Sequence, residues 1–260
     1  MSDVPPPPPG PPPPPPGDGL TPPPGYVAYG NAPTPMTRIS RVKGLSTAIM
    51  IVVGIAGVGS LVNALLTSSL RTKAEDFLAG SISESEFNDS VVSFSAFSAI
   101  AGIGLLAGAV LVMIWMFRIT ANLRAFGQST TWHPLFAIFG WFLPPLVLYV
   151  IPFLMLREQW QKSAPPVTAG VTAPTGGREN PALWIWFVAF GLLPLLTITL
   201  QFDSINNFGD TGAEAVAENL VDADTAITLI SGIGSAVAAA AWIVFVRQLT
   251  ARHRAMTGES

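Results

Sequence analysis

The sequence has no cysteine, so disulfides, thiolate nucleophiles and cysteine-ligated metals are excluded and the redox compartment is left unread. It has two histidines, His133 and His253, too far apart in sequence to form a spaced ligand motif. Charge is scarce: 11% of residues are Asp, Glu, Lys or Arg, against roughly 25% in an average soluble domain. The net charge of −3 points to no partner, and the basic residues form no continuous stripe, so nucleic-acid binding is not expected. Inside the long apolar runs no Asp, Glu, Lys, Arg or His occurs. Such groups at depth mark ion and proton paths, and their absence argues against a proton-coupled pump. Intramembrane hydrolysis would need a Ser with His or Lys, paired Asp, or a His-rich metal site at depth. None is there, so no enzyme activity, cofactor or metal site is expected.

Apolar residues, by contrast, make up half of the chain, and mean hydropathy is +0.49. They gather in five runs, at 45–70, 91–117, 135–156, 182–202 and 226–246, each about the ~20 residues that a helix needs to cross a ~30 Å hydrocarbon core. This composition predicts an all-α polytopic membrane protein with the lipid bilayer as its first partner. Residues 1–37 are dominated by proline, which fixes φ and lacks an N–H, so a disordered polyproline II tail is expected. The tail lacks the basic-then-apolar pattern of a cleavable signal, so the first apolar run is expected to act as an uncleaved anchor. Within it Pro23, Pro24, Gly25 and Tyr26 fit the P-P-x-Y pattern that docks a protein partner on an aromatic groove; the alternative is a solubilising tail.

The third run contains GWFLPPLVLYVIP, residues 140–152. Pro144 and Pro145 together disfavour a continuous helix, at about 3 kcal/mol or more per interior proline. Positive charge tests the same segment independently, because Lys and Arg accumulate on the cytoplasmic side. With five spans and the N-terminus inside, the thirteen Lys and Arg divide five inside and eight outside. If residues 135–156 instead return to the side they came from, the division is eleven inside and only Arg71 and Lys73 outside. Four transmembrane helices plus a proline-broken re-entrant or interfacial segment are therefore expected, with both termini cytoplasmic; five spans with a kinked third is the alternative.

Between the first two runs, Gly80 is placed to close one short helix, and Ser83 with Glu86 forms a capping box for the next. Before the fifth run, Val216, Leu220 and Val221 recur at helical spacing and predict an amphipathic extension. Residues 163–181 read as a flexible linker. Small residues at four-residue spacing, Gly104 with Gly108 and Gly232 with Ala236 and Ala240, offer close helix approach, within the chain or between copies. Asn63 is the most polar side chain well inside a span and is expected to make an interhelical hydrogen bond. The two hairpins also end alike, in Arg118, Thr120, Ala121, Arg124 and Ala125 and in Arg247, Thr250, Ala251, Arg254 and Ala255, which fits either duplication or shared interface composition.

Residues 118–163 carry a further pattern: R-I-T-A-N-L-R from Arg118, then Trp132, Pro134, Ala137, Gly140, Trp141, Phe142 and Pro144, then Pro152, and L-R-E-Q-W-Q-K-S closing at Ser163. This block resembles the bacterial membrane family called domain of unknown function (DUF) 4328, best known from actinobacteria. The resemblance implies a multi-helix cell-membrane protein whose signature is the proline-broken block, and it supplies no substrate or catalytic residue. The signature candidates are Arg118, Asn122, Arg124, Trp132, Pro134, Gly140, Trp141, Pro144, Pro145, Pro152, Glu158 and Trp160. Among these, Arg118, Asn122, Arg124, Glu158 and Trp160, with His133 and Arg157, flank the segment on the cytoplasmic side. They read either as a site for anionic lipid head groups or as snorkelling and pairing residues that hold the segment in place. The expected role is a non-enzymatic envelope scaffold or interaction protein; the alternative is a transporter or channel component whose pathway residues 135–156 line.

Overall fold

A computed structural model describes residues 39–142, 150–163, 179–195 and 212–259. The proline-rich tail with its P-P-x-Y motif, the Pro144–Pro145 pair, the linker interior at 164–178 and the end of the fourth apolar run all lie outside the described residues. The described chain is helical, without a strand: α1 Lys43–Leu78, α2 Glu84–Ala125, α3 Phe136–Phe139 passing into a 3-10 turn Gly140–Phe142, α4 Val150–Lys162, α5 Pro181–Trp186 widening into a π-helical stretch Phe187–Leu192, α6 Ala213–Asp222 and α7 Thr225–Thr257.

Three helices, α1, α2 and α7, are long and apolar enough to cross a membrane. In hydrocarbon every backbone group must be satisfied within the segment, which selects helix for such runs. α2 has 42 residues, about 63 Å at 1.5 Å per residue, so it projects well beyond a ~30 Å core. Punctuation is local. Gly80 takes φ 72° just after α1, closing that one long helix rather than a short separate one. The Ser83 hydroxyl accepts from the Glu86 amide at 3.3 Å to start α2, and Asp224 accepts from the amides of Ala226 and Ile227 to start α7.

α1 runs antiparallel to both α2 and α7. At one end, Leu70, Ala74, Phe87 and Ala217 form a small core; the expected amphipathic extension of the last helix is instead a separate helix, α6, packed on α1 and broken from α7 where Ala223 turns extended. There the Arg71 guanidinium donates to the Ala223 carbonyl at 3.0 Å and the Thr225 hydroxyl at 2.6 Å, tying α1 to the α6–α7 junction. At the other end the C-terminal turns of α2 and α7 meet. Nine of the eleven described Lys and Arg lie at this second end, and nine of the twelve described Asp and Glu at the first. The bundle thus has a basic end and an acidic end.

α5 completes the layout. Asn180, buried and capping the helix through Ala182 N–H, donates to the Gln248 side chain of α7 at 2.7 Å, while Leu193 abuts Gly234. Those two α7 positions are about 21 Å apart, so α5 climbs antiparallel to α7 from the basic end toward the acidic end, where α6 begins. The ends of the stretch read as a linker are anchored: Ser163 is fully buried, and Glu179 pairs with Arg157.

Close approach of α1 and α7 rests on small residues. A Cβ at Gly57 would stand 2.6 Å from that of Ala239, and one at Gly232 would stand 2.7 Å from that of Ala64 and 3.2 Å from the Ser60 carbonyl oxygen. Gly108 meets Val52, whereas Gly104 has nothing within 4 Å among the described residues, so only half of that G-x-x-x-G packs on them. Asn63 is hydrogen-bonded as expected, accepting from the Ser98 hydroxyl at 3.0 Å. Gly232→Val is expected to lower stability by about 1–3 kcal/mol through overpacking. Gly104→Val is expected to stay within about 0.5 kcal/mol, both read from denaturation of the purified protein in micelles.

Candidate functional site

After α2 the chain turns at Gly127, φ 74°, runs through residues 128–135 and enters α3. Pro134 is buried. Pro152 lies in the first turn of α4, where a missing N–H has no helical acceptor to lose. Between them the chain doubles back. A Cβ at Gly140 would lie 2.9 Å from Ile151 Cγ2 and 3.8 Å from Pro152 Cδ, whereas a continuous helix would part residues 140 and 151 by about 16 Å.

The two ends of the hairpin are joined as well. Glu158 accepts from the main-chain N–H of Thr131 at 2.7 Å and of Trp132 at 3.4 Å, and its carboxylate pairs with Lys162 at 2.9 Å. The Lys162 ammonium also donates to the Ser129 carbonyl. Burial by itself would raise the Glu158 pKa, but hydrogen bonds from the Thr131 main chain and from Lys162 outweigh it and hold the carboxyl below its usual range. Arg124 braces the same turn, donating to the Thr130 hydroxyl at 2.6 Å and the Trp132 carbonyl at 3.5 Å.

The closed hairpin is fastened to the long helices by buried polar bonds and rings. Gln159, 1% exposed, donates to the Met116 carbonyl and the Thr120 hydroxyl of α2, both at 2.8 Å. Trp160 lies 6.2 Å from Phe245 and under the Arg252 guanidinium at 4.0 Å, a cation–π contact. Trp141 meets Trp186 of α5 at 6.4 Å, and Trp186 meets Trp242 of α7 at 4.7 Å. The indole N–H groups of Trp115, Trp141 and Trp242, the Gln159 Oε1 and the Thr250 Oγ1 are buried without a hydrogen-bond partner among the described residues.

Below this layer Asn122 holds the segment that leads into α1. Its Oδ1 accepts from Ser40 N–H at 2.9 Å and its Nδ2 donates to the Ser40 carbonyl at 2.9 Å. The same Nδ2 lies 3.0 Å from His253 Nε2, and His253 Nδ1 lies 3.4 Å from the Ser163 hydroxyl. Arg118 donates to the Arg41 carbonyl at 3.0 Å, and Glu259 accepts from Val42 and Lys43 N–H at 3.0 and 3.1 Å, capping α1 from the far end of the chain. Ser163, His253 and Asn122 have the side-chain types of a nucleophilic row, but the hydroxyl and the ring are both fully enclosed. What the row binds is backbone.

Of the sequence candidates, Arg118, Asn122, Arg124, Trp132, Pro134, Gly140, Trp141, Pro152, Glu158 and Trp160 converge on this one region, and Pro144 and Pro145 lie outside the described residues. Arg118, Arg124, Glu158 and Trp160 serve as braces and packing groups. His133 stays at the α3 entry, where its Nδ1 receives the Leu135 amide at 3.3 Å. The residues not among the sequence candidates are Ser40, Gln159, Ser163, His253 and Glu259, of which Gln159 and Ser163 lie inside the quoted L-R-E-Q-W-Q-K-S block. Their partners stand 39 to 217 positions away in the chain, and no local spacing signals them.

A family model described as Domain of unknown function (DUF4328) matches residues 79–251, a range that holds the whole hairpin and extends well past the 118–163 block. No curated protein and no solved structure matches the chain.

Glu158→Gln should loosen the hairpin, costing about 1.5–3 kcal/mol as charged hydrogen bonds become neutral ones. Because the folded carboxyl titrates below the unfolded one, its contribution is complete above about pH 4.3 and is lost as pH falls through the lowered folded value. Equilibrium unfolding of wild type and Glu158→Gln from pH 7 to 3 should therefore show the gap between them closing toward acid.

Proposed function

Because the chain belongs to the DUF4328 family, a membership that brings no reaction with it, we propose a role read from architecture: a non-enzymatic multi-pass protein of the cell membrane that carries residues 1–37 as a cytoplasmic interaction arm. On this reading α1, α2, α5 with the residues that follow it, and α7 cross the bilayer, and residues 129–163 form a hairpin that re-enters or lies at the basic face. The observation that carries the reading is the closed hairpin, whose ends meet at Glu158 and Lys162. A segment that closes on itself makes no net crossing, and the single remaining crossing between α2 and α6 falls to α5. The eleven-to-two division of Lys and Arg then supports a cytoplasmic basic end with both termini.

The scaffold role is supported by how the polar side chains are used. Asn122, Arg118, Arg124 and Glu158 all bind main chain of this same protein. Outward of them, Arg41, Lys43 and Arg247 are exposed at the basic end, suited to anionic lipid head groups. A second reading, a solute pathway along the α2–α4–α7 contact, has in its favour the unpartnered Gln159 Oε1 and Thr250 Oγ1. Uptake of a labelled solute by vesicles carrying the protein, above that of empty vesicles, would favour it.

The topology is tested by single cysteines in a chain that has none of its own, placed at Ser81, Gln128, Gly212 and Ala255 and probed with a membrane-impermeant thiol reagent on intact cells. Labelling is expected at 81 and 212 and not at 128 or 255. Labelling at 255 with none at 212 would restore five spans.

A further inference from the structure

The main chain of Ser40 dictates the state of a buried imidazole. The Ser40 N–H can only donate and its carbonyl can only accept, so the two 2.9 Å bonds to Asn122 fix which amide atom is oxygen and which is nitrogen. The nitrogen then faces His253 Nε2 at 3.0 Å, and an amide NH2 is a donor without acceptor capacity. Nε2 must therefore be the bare, accepting nitrogen, which leaves Nδ1–H to donate to the Ser163 hydroxyl. Ser40 lies at the root of the proline-rich arm, and Ser163 at the end of the hairpin.

We propose that His253 is a latch on the arm: a proton added to its Nε2 releases Ser40 from Asn122, and a pull that draws Ser40 away lets the ring accept that proton. The protonated ring presents N–H to the Asn122 NH2, donor against donor. Relief requires the amide to turn over, which sets its NH2 against the Ser40 N–H and its oxygen against the Ser40 carbonyl, and both clamp bonds fail. The coupling is reciprocal, as any linkage between two binding events must be, so a partner that engages the arm and lifts its root would raise the affinity of His253 for a proton.

The surroundings favour the closed state at neutral pH. The ring is fully enclosed, and burial pushes its pKa down to about 4, with the Glu259 carboxylate opposing. Glu259, on the C-terminal tail, is the charged group that acts on the ring. The ring's bonded neighbours from α2 and the end of α4 are the neutral Asn122 and Ser163, and the neighbouring cations of α7 are turned to other partners, Arg252 to Trp160 and Arg254 to the Glu259 carbonyl. The latch thus opens as pH falls toward 4, and it rests on the hydrogen-bond pattern around Ser40 whether or not the proposed membrane role holds.

The test uses the full chain in lipid nanodiscs with one nitroxide on Ile39→Cys, its mobility followed from pH 7.5 to 3.5 beside the imidazole NMR titration of His253 and far-UV circular dichroism. The label is expected to go from mostly immobile to mostly mobile with the same midpoint as the ring, helicity unchanged. His253→Gln, whose amide can accept from Asn122 and donate to Ser163 without titrating, should abolish the transition, whereas Glu259→Gln should keep it. Asn122→Asp, which welcomes the imidazolium, should move the ring midpoint up by more than one pH unit. Release that persists in His253→Gln, vanishes in Glu259→Gln, or coincides with loss of helicity overturns the proposal.

Discussion

The architecture depends on a carboxylate that closes a loop of main chain. Glu158 receives the amides of Thr131 and Trp132 and pairs with Lys162, so a segment apolar enough to be read as a span is tied end to end. Main-chain N–H groups at a turn need acceptors, and here a carboxylate in the third turn of α4 supplies one for both. Once these ends are joined, the topology of the rest is constrained. α2 delivers the chain to the basic end, α6 starts at the acidic end, and α5 is bonded to α7 at Asn180 and packed on it at Leu193.

Energetic roles divide by depth. In the middle of the bundle contact is made by backbone proximity at Gly57 and Gly232 and by the Asn63–Ser98 hydrogen bond, the kind of packing that suits helices long and apolar enough to cross a membrane. Toward the basic end, aromatic rings and then fully buried polar groups take over: Trp115, Trp186 and Trp242, followed by Gln159, Asn122, Ser163 and His253. The acidic end holds a small ordinary core around Phe87, with Phe77 stacked on it at 5.0 Å. The basic end thus joins α2, α4, α5, α7 and both ends of the described chain.

Much of this was legible in the residues. Run length located α1, α2 and α7, and Ser83 with Glu86, Gly80 and the 3.6-residue spacing of Val216 and Leu220 located their ends and the α6 extension, because caps and amphipathic faces are local. The charge division pointed to a segment that returns to its own side, which the contact of Gly140 with Ile151 fits, while the proline pair lies outside the described residues. What could not be read was the pairing at the basic end. Asn122 was visible as part of a pattern, but its partners Ser40 and His253 lie 82 and 131 positions away, and a lone histidine carries no spacing signal. The reading of Gly104 with Gly108 as one packing face also fell short, since a four-residue spacing fixes a common face but not which neighbour covers it.

The claim that residues 129–163 close on themselves is tested most directly by distance. Nitroxides on cysteines at Gln128 and Gln161, measured by double electron–electron resonance on the full chain in nanodiscs, report whether the segment returns. A hairpin joined at Glu158 and Lys162 predicts a narrow distribution at the short limit of the method, largely abolished by Glu158→Gln combined with Lys162→Gln. A separation of about 30 Å or more, the thickness of a bilayer core, would contradict it.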